Sequence, residues 1–252
     1  MKPEGLIKGQ PVSLHILDYG LFRVHAGPRD IGICGALITT DAGERILMDT
    51  GFPTRYVRDP AAATAEDGLD SFGNVLSLTP DNLPAAQLAL AGTSLDDITL
   101  MIQSHTHIDH IGGIALCPQA PMLIGAPERA LERPLYWSGG QPLAWPRRDY
   151  VLVDSDVRLG PGLTVYLVPG HAPGQLALMV SLPRSGPVLL TSDAISRPSE
   201  LDEAFIGSHD EELACHHGAR LMELARAADA TIIFGHCPEQ WRHLRKAPAH
   251  YD

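Results

Sequence analysis

A short cluster of potential metal ligands in the middle of the chain constrains the fold more than any other feature. His105, His107, Asp109 and His110 place four ligand-type side chains within six residues. Neutral imidazole is a good ligand for Zn, Fe and Ni, and a carboxylate can complete or bridge a metal pair. No ordinary structural need brings three imidazoles and a carboxylate so close together. We therefore interpret the cluster as part of a metal site, and the fold must supply its remaining ligands.

The residues around the cluster predict where it lies. Residues 98–103 are rich in β-branched and apolar side chains, which favours a strand that leads directly into Ser104 and His105. Gly112 and Gly113 follow the cluster and allow the backbone to turn tightly. The ligands are therefore expected on a loop at the end of a strand, where rigid scaffolds usually present binding groups.

Three more ligand-type residues follow predicted strands. These strands end shortly before His171, Asp193 and His236. Together with the central cluster they give more ligands than one four- or five-coordinate ion needs, and about the right number for two ions that share a carboxylate and a water. The sequence therefore predicts a dinuclear metal site. Its candidate ligands are His105, His107, Asp109, His110, His171, Asp193 and His236.

Composition limits the class of function. The chain has 252 residues, of which 44% are apolar and 19% charged, and it lacks a long linker, so we predict a single globular domain over residues 1–252. The net charge of −11 argues against a nucleic-acid partner, because a protein that grips phosphates usually carries a basic face. No apolar run could span a bilayer and no signal-like segment opens the chain, so we expect a cytoplasmic protein without a membrane partner. The four scattered cysteines favour reduced thiols over a disulfide framework.

The remaining chain alternates between strand and helix patterns. Strands are predicted at 12–17, 31–38, 45–48, 121–124, 163–168, 175–182, 187–190 and 231–234. Helices are predicted at 82–91, 127–133 and 210–228, and after Pro238. The longest helix, at 210–228, is predicted from a spacing of three and four at Leu213, His217, Leu221, Leu224 and Ala228.

Other residues are expected to support or cover the site. Asp49 directly follows the predicted strand at 45–48, and we expect it to orient a ligand histidine from behind. Residues 52–80 are rich in Pro, Gly, Ala and Asp and lack periodicity, so we predict a long loop that acts as a lid on the pocket. Residues 138–148 predict a second surface loop.

The order of the ligand motifs resembles that of the metallo-β-lactamase superfamily. The motifs are His-Thr-His-Ile-Asp-His, then Pro-Gly-His, Ser-Asp and Gly-His, and they extend over most of the chain. The resemblance implies an α+β fold of the αββα sandwich type, with two sheets face to face and helices outside. It also implies three ligands for each metal and one shared carboxylate: His105, His107 and His171 for the first metal, Asp109, His110 and His236 for the second, and Asp193 as the bridge.

Within the superfamily, the sequence is most similar to the N-acyl homoserine lactonases and related lactonases. Residues 169–174 and 189–194 carry this likeness, as do residues 234–240. The resemblance implies a hydrolase that opens a small-molecule lactone or ester with two divalent ions. Zinc is expected, with Mn, Co and Fe as alternatives, and Asp109 is expected to pass a proton to the leaving oxygen. The oligomeric state stays open, with a homodimer among the options.

The sequence departs from this group at one informative position. Lactonases of the group typically place a tyrosine three residues after the bridging Asp, whereas this chain has Ser196 there. Tyr19, Tyr56 and Tyr136 are candidates to replace it. The departure keeps open the hydrolysis of another ester, thioester or cyclic substrate, an iron-dependent redox reaction like that of sulfur dioxygenases, and metal sensing without turnover. An acyl chain would need an apolar trough, for which the candidates are Phe22, Phe52, Phe72, Leu135, Trp137 and Trp145.

Overall fold

Two facing β-sheets form the centre of the protein. The computed structural model describes residues 2–137 and 139–252. Within these residues, seven strands form the first sheet: β1 (Pro11–Val24), β2 (Arg29–Thr40), β3 (Arg45–Met48), β4 (Gly73–Ser77), β5 (Leu100–Gln103), β6 (Met122–Gly125) and β7 (Tyr150–Val153). Five form the second: β8 (Val157–Gly160), β9 (Leu163–Leu167), β10 (Leu176–Leu182), β11 (Gly186–Ser192) and β12 (Thr231–Phe234).

The strand order explains how the ligand-bearing loops meet. The first sheet runs β4-β1-β2-β3-β5-β6-β7, with β3, β5, β6 and β7 parallel, and the second runs β12-β11-β10-β9-β8, with β11 and β12 parallel. Parallel strands end at the same edge of a sheet, and this edge is where α/β proteins usually bind ligands. The loops after β3, β5, β11 and β12 therefore start from two facing sheet edges.

Helices cover the outer faces of the two sheets. Their bounds are α1 (Arg55–Arg58), α2 (Pro60–Glu66), α3 (Pro84–Leu90), α4 (Ala126–Arg129), α5 (Glu211–Ala228) and α6 (Pro238–Trp241). Leu88 of α3 packs in a core cluster with Leu17 and Leu37 of the first sheet, and Leu221 of α5 packs with Leu189 of the second. The αββα sandwich is therefore confirmed. None of the helices in the described part of the chain is long and apolar enough to cross a membrane.

The alternation of side chains along the strands builds three apolar layers. In β10, Leu178 and Val180 face the core between the sheets, whereas Ala177 and Met179 face the layer under α5. Successive side chains of a strand point to opposite faces, so a strand covered on both faces must be apolar throughout. The central core holds the two sheets at a fixed separation and thus fixes the edge that carries the ligands.

One sequence prediction about this architecture is wrong. Residues 52–80 are more regular than expected, because they contain α1, α2 and β4, and β4 pairs with β1. The helix predicted at 210–228 is confirmed as α5, but the spacing pattern identified only Leu221 of its buried face, which also contains Ala214, Gly218 and Ala225, whereas Leu213 is 40% exposed. The small residues of this face let the helix approach its neighbours closely: a Cβ on Gly218 would lie 2.4 Å from the ring of Phe205.

Most of the other predicted elements are found within a few residues of their expected positions. Strands β7 and β8 were not predicted, and β1 is longer than expected. Of the loop predicted at 138–148, residue 138 lies outside the described residues, and the rest contains no helix and no strand beyond an isolated bridge.

Candidate metal centre

All seven predicted ligand residues come together at one edge of the sandwich. His105 follows β5, His171 follows β9, and Asp193 and His236 follow β11 and β12. They fall into three overlapping groups, and within each group the ligand atoms lie within 4.8 Å of one another. The groups are His105 with His107 and His171, Asp109 with His110 and His236, and His105 with His110 and Asp193.

The first group, which we call the three-histidine group, consists of His105, His107 and His171. Nδ1 of His107 lies 2.9 Å from Nε2 of His171. His105 is fully buried, and its Nε2 has no hydrogen-bond partner. A buried polar atom without a partner is costly, so this nitrogen needs a ligand that the protein itself does not supply.

Burial also keeps the three-histidine group uncharged. Burial and the neighbouring imidazole of His110 lower the pKa of His105 well below its usual value. Burial and His171 lower the pKa of His107 to about 3, and burial lowers that of His171. Neutral imidazole nitrogens are the form that binds a metal, so these donors are already in the correct protonation state at neutral pH.

The second group, which we call the mixed group, consists of Asp109, His110 and His236. Nε2 of His236 lies 3.3 Å from Oδ2 of Asp109 and 3.3 Å from Nε2 of His110. Burial alone would lower the pKa of His110, but the carboxylates of Asp109 and Asp193 outweigh burial and raise it to about 10. Burial likewise opposes charge on His236, but the same two carboxylates raise its pKa well above the usual value. Without metal, this group is therefore a buried network of ion pairs.

Asp193 lies between the two groups. One carboxylate oxygen, Oδ2, lies 3.5 Å from Nε2 of His171, and the other, Oδ1, lies 3.1 Å from Nε2 of His236. Burial raises the pKa of Asp193, but the imidazoles of His236 and His110 more than offset it, so the pKa falls well below its usual value. An ionised carboxylate with one oxygen toward each group suits a bridge between two cations.

Asp49 supports the mixed group from behind. Its carboxylate lies 2.9 Å from Nδ1 of His110 and accepts hydrogen bonds from the backbone N–H of Ser104, at 2.8 Å, and from the Ser104 hydroxyl, at 2.6 Å. His236 is held in a similar way, because its Nδ1 lies 2.9 Å from the carbonyl oxygen of Gly32. These contacts leave Nε2 of each ring for a metal. Asp49 therefore makes the contact with a candidate ligand histidine that its predicted role requires.

The donor set therefore fits two divalent cations. It combines five imidazoles with two carboxylates, and Nε2 of His105 is buried without a hydrogen-bond partner. Nitrogen and carboxylate donors of this kind suit Zn, Mn, Co and Fe.

A cavity of about 470 Å³ opens onto this cluster. Three of the predicted trough residues line it: Phe72, Leu135 and Trp137. The prediction is wrong for the other three, because Phe22 and Phe52 are buried in the adjacent core and Trp145 packs against Arg129. No sequence pattern marks several other residues that line the cavity: Val24, Arg29, Ile31, Arg197, Phe205 and Ile206.

The predicted tyrosine replacements do not offer a free hydroxyl. The hydroxyl of Tyr19 is buried and lies 3.4 Å from the carbonyl oxygen of Asp49, and that of Tyr56 donates to Asp67 at 2.6 Å. Tyr136 lines the cavity, but its hydroxyl donates to Asp67 at 3.1 Å. Ser196, the residue at the departure, does line the cavity beside the ligands.

Comparisons with known proteins agree with this geometry. The sequence pattern of the Metallo-beta-lactamase superfamily matches residues 35–236. The chain is 32% identical over 216 residues to the N-acyl homoserine lactonase AiiA of Bacillus thuringiensis subsp. kurstaki, which covers 84% of each protein. The structure of the present chain is similar to that of an N-acyl homoserine lactone hydrolase with N-hexanoyl-L-homoserine bound at the catalytic metal centre. The TM-score is 0.85 and the sequence identity is 24%, and the similarity covers 96% of this chain and 100% of the other. It also resembles AidC, a dizinc quorum-quenching lactonase in complex with a product, with a TM-score of 0.66, 20% identity, and coverage of 98% and 97%.

Proposed function

Since this chain belongs to the metallo-β-lactamase superfamily, we propose that it is a metal-dependent hydrolase that opens the ring of N-acyl homoserine lactones. The observation that carries the proposal is the convergence of seven ligand-type side chains, five of which line a cavity of about 470 Å³. The similarity to AiiA supports the lactone as substrate. The cavity has room for a small molecule with an acyl chain.

The proposed ligands divide between two metals. The three-histidine group would hold one ion and the mixed group the other, and Asp193 would contribute to both sites. We propose zinc for both positions because the donor set is rich in imidazole and because the dizinc lactonase AidC shares the fold. When bound, the two ions supply Lewis acidity that polarises a carbonyl and lowers the pKa of water.

Asp109 is the proposed proton carrier. Its side chain lines the cavity and lies 3.3 Å from His236. Burial raises the pKa of Asp109, but the imidazoles of His110 and His236 more than offset it and lower the pKa to about 2. The group is therefore ionised at the start. It can accept a proton as water adds to the lactone carbonyl, and it can return that proton to the ring oxygen as the C–O bond breaks.

The wall of the cavity is proposed to hold the acyl chain. The rings of Phe72 and Trp137 lie 4.8 Å apart, and Nε1 of Trp137 donates to the carbonyl oxygen of Gly68 at 3.4 Å. These contacts fix an apolar surface between the metal cluster and solvent. The lid function predicted for residues 52–80 stays a prediction, although Phe72 from that segment does form part of this wall.

We also propose that the protein works in the cytoplasm. All four cysteines are free thiols, which suits a reducing compartment.

A substrate panel tests the proposal. Zinc-loaded protein is assayed against N-acyl homoserine lactones with short and long acyl chains and against simple γ- and δ-lactones, with thioesters and β-lactams as controls. We expect turnover of the acyl homoserine lactones to exceed that of the controls and to disappear on chelation. Preferential hydrolysis of thioesters, or activity that requires iron and oxygen, would contradict the proposal and favour the alternatives.

A further inference from the structure

A second buried carboxylate, that of Glu128, lies behind the metal cluster. Glu128 belongs to α4 and is 0% exposed. Its Oε1 accepts hydrogen bonds from the backbone N–H of Thr106, at 2.8 Å, and from the Thr106 hydroxyl. Its Oε2 accepts a hydrogen bond from the backbone N–H of Gly174 at 3.1 Å. Glutamate is rarely buried completely unless it has such partners.

The bonds of Glu128 join the two loops that carry the three-histidine group. Thr106 stands between His105 and His107, and Gly174 lies three residues after His171. One carboxylate thus holds both loops, each through a backbone N–H. A change at Glu128 would therefore move the relative positions of the three imidazoles.

Every polar group of Thr106 has a hydrogen-bond partner. Besides the two bonds to Glu128, its hydroxyl oxygen accepts from the N–H of Leu135 at 3.0 Å, and its carbonyl oxygen accepts from the N–H of Tyr136 at 2.9 Å. The residue is therefore fixed from two sides, by α4 and by the segment at Leu135 and Tyr136. This leaves little freedom for the backbone that presents His105 and His107.

Close packing brings α4 against the second loop. A Cβ atom on Gly125 would lie 2.2 Å from the carbonyl oxygen of Gly174, and a Cβ atom on Gly174 would lie 2.4 Å from Cβ of Glu128. Both positions therefore require glycine, because any larger residue would push the elements apart. The short distance between Glu128 and Gly174 is thus built into the fold.

Glu128 and Asp49 have parallel positions in the two halves of the cluster. Asp49 supports the mixed group directly, because its carboxylate contacts the ring of His110. Glu128 makes no hydrogen bond to a ligand ring and instead holds the backbone near the ligands. Each half thus has its own buried carboxylate, and the proposed mechanism uses neither of them.

We infer that Glu128 is a positioning residue for the metal held by His105, His107 and His171. The inference rests on the proposed function only in that it requires these histidines to bind a metal. It does not depend on which lactone is hydrolysed. Burying the Glu128 carboxylate is costly, and its three hydrogen bonds offset that cost while they fix both loops.

The test is metal affinity in Glu128→Gln. Glutamine keeps the shape of the side chain but loses the charge and one acceptor, so at least one loop loses its hydrogen bond. The full-length protein is stripped of metal and titrated with Zn(II) against a chelator, in the wild-type and in a His236→Ala background that keeps the three-histidine group intact. We expect Glu128→Gln to weaken the zinc affinity of this group by about 10- to 100-fold, as losses of outer-shell partners usually do. The visible spectrum of the Co(II) form should change as well.

Glu44→Gln is the matched control. The Glu44 carboxylate also accepts bonds from two backbone N–H groups, those of Lys8 and Gly9, and from one threonine hydroxyl, that of Thr40. It lies at the turn between β2 and β3, and none of its hydrogen-bond partners adjoins a proposed ligand. Glu44→Gln should therefore leave both zinc affinities and the Co(II) spectrum unchanged.

A second pair of variants keeps the inference testable if Glu128→Gln does not fold. Thr106→Val removes the hydroxyl that donates to Glu128, and Thr106→Ser restores it. We expect reduced zinc affinity in the valine variant and near wild-type affinity in the serine variant. Wild-type affinity of the three-histidine group in Glu128→Gln, or in Thr106→Val, would overturn the inference. Zinc binding without lactone turnover in the wild-type protein would contradict the proposed function but leave this inference standing.

Discussion

The two halves of the metal cluster use the same short segment of chain but differ in charge. The three-histidine group contains only imidazoles, and burial lowers the pKa of each. The mixed group contains a carboxylate, and its imidazoles, His110 and His236, have raised pKa values because carboxylates surround them. One half is therefore neutral before metal binding, and the other is already an ion-pair network.

This difference shows two ways to keep a cluster of buried ligand-type side chains folded. The three-histidine group avoids charge and depends on backbone contacts through Thr106 for its shape. In the mixed group, protons on the imidazoles balance the carboxylates, so a metal would have to displace protons to bind. In the proposed two-metal site, Asp193 would connect a half that binds metal without proton release to a half that requires it.

The largest effect is expected from Asp193→Ala, because this change removes the residue common to both halves. Metal ions commonly supply several kcal/mol of transition-state stabilisation, so activity should fall by about a thousandfold or more. Metal analysis of the purified variant should show fewer than two equivalents of zinc. Asp202→Ala, at an exposed carboxylate outside the cluster, should retain two equivalents and full activity. Two tightly bound equivalents of zinc in Asp193→Ala would contradict the proposal that Asp193 bridges the two metals.

Asp49→Asn should affect zinc binding by the mixed group more than zinc binding by the three-histidine group. This change removes the charge beside His110, whereas the contact of Asp49 with the other group is indirect, through the Ser104 hydroxyl that lies 3.1 Å from Nδ1 of His105. We expect the affinity of the mixed group for zinc to fall by about 10- to 100-fold, and that of the three-histidine group to fall by less. Two-step zinc titrations of the metal-free protein measure both. Equal losses at the two sites would mean that Asp49 stabilises the whole edge of the sandwich rather than one half.

The pH dependence of zinc binding should also differ between the halves. His110 has a pKa of about 10 in the metal-free protein, above its ordinary value near 6.5, so it still carries a proton at pH 8. Raising the pH toward 10 removes that proton, so the affinity of the mixed group should increase by up to about tenfold per pH unit for each proton displaced. Calorimetry in buffers of different ionisation enthalpy measures the protons released. Absence of proton release at pH 8 would contradict the charged state assigned to this half.

The smallest effect is expected from a change in the cavity wall that contains Phe72, which should alter substrate binding without altering zinc binding by either half. Phe72→Ala removes a partly exposed ring from the cavity without touching a proposed ligand. We expect KM for a long-chain lactone to rise by about 3- to 10-fold, since only part of the burial energy of a phenylalanine is lost. The zinc affinities and KM for a short-chain lactone should change little. A matching loss of metal would show that the wall and the metal site are coupled.

The sequence was sufficient to predict which ligand-type side chains lie together, because local patterns mark them. Each follows a strand with an apolar pattern, and Gly170 and Gly235 directly precede His171 and His236. Asp49 could be predicted for the same reason, since it ends the strand at 45–48. Strand ends on neighbouring parallel strands meet in space, so local signals were enough for these residues.

The residues that the sequence did not identify act over long distances in the chain. Glu128 acts on Thr106 and Gly174, which lie 22 and 46 residues away. Nothing near Glu128 distinguishes it from a surface glutamate in a helical turn. Most of the buried face of α5 could not be predicted for a related reason: Ala214 and Gly218 are required there by close packing rather than by hydrophobicity. Such contacts become visible only when the sheets are assembled.

Two metals are proposed to occupy the two halves of the cluster and to share Asp193. Anomalous diffraction at the zinc edge, from crystals of the zinc-loaded protein, tests this arrangement most directly. We expect two peaks, one among His105, His107 and His171 and the other among Asp109, His110 and His236, with the Asp193 carboxylate between them. A single peak, or two peaks with Asp193 bound to only one of them, would contradict the account.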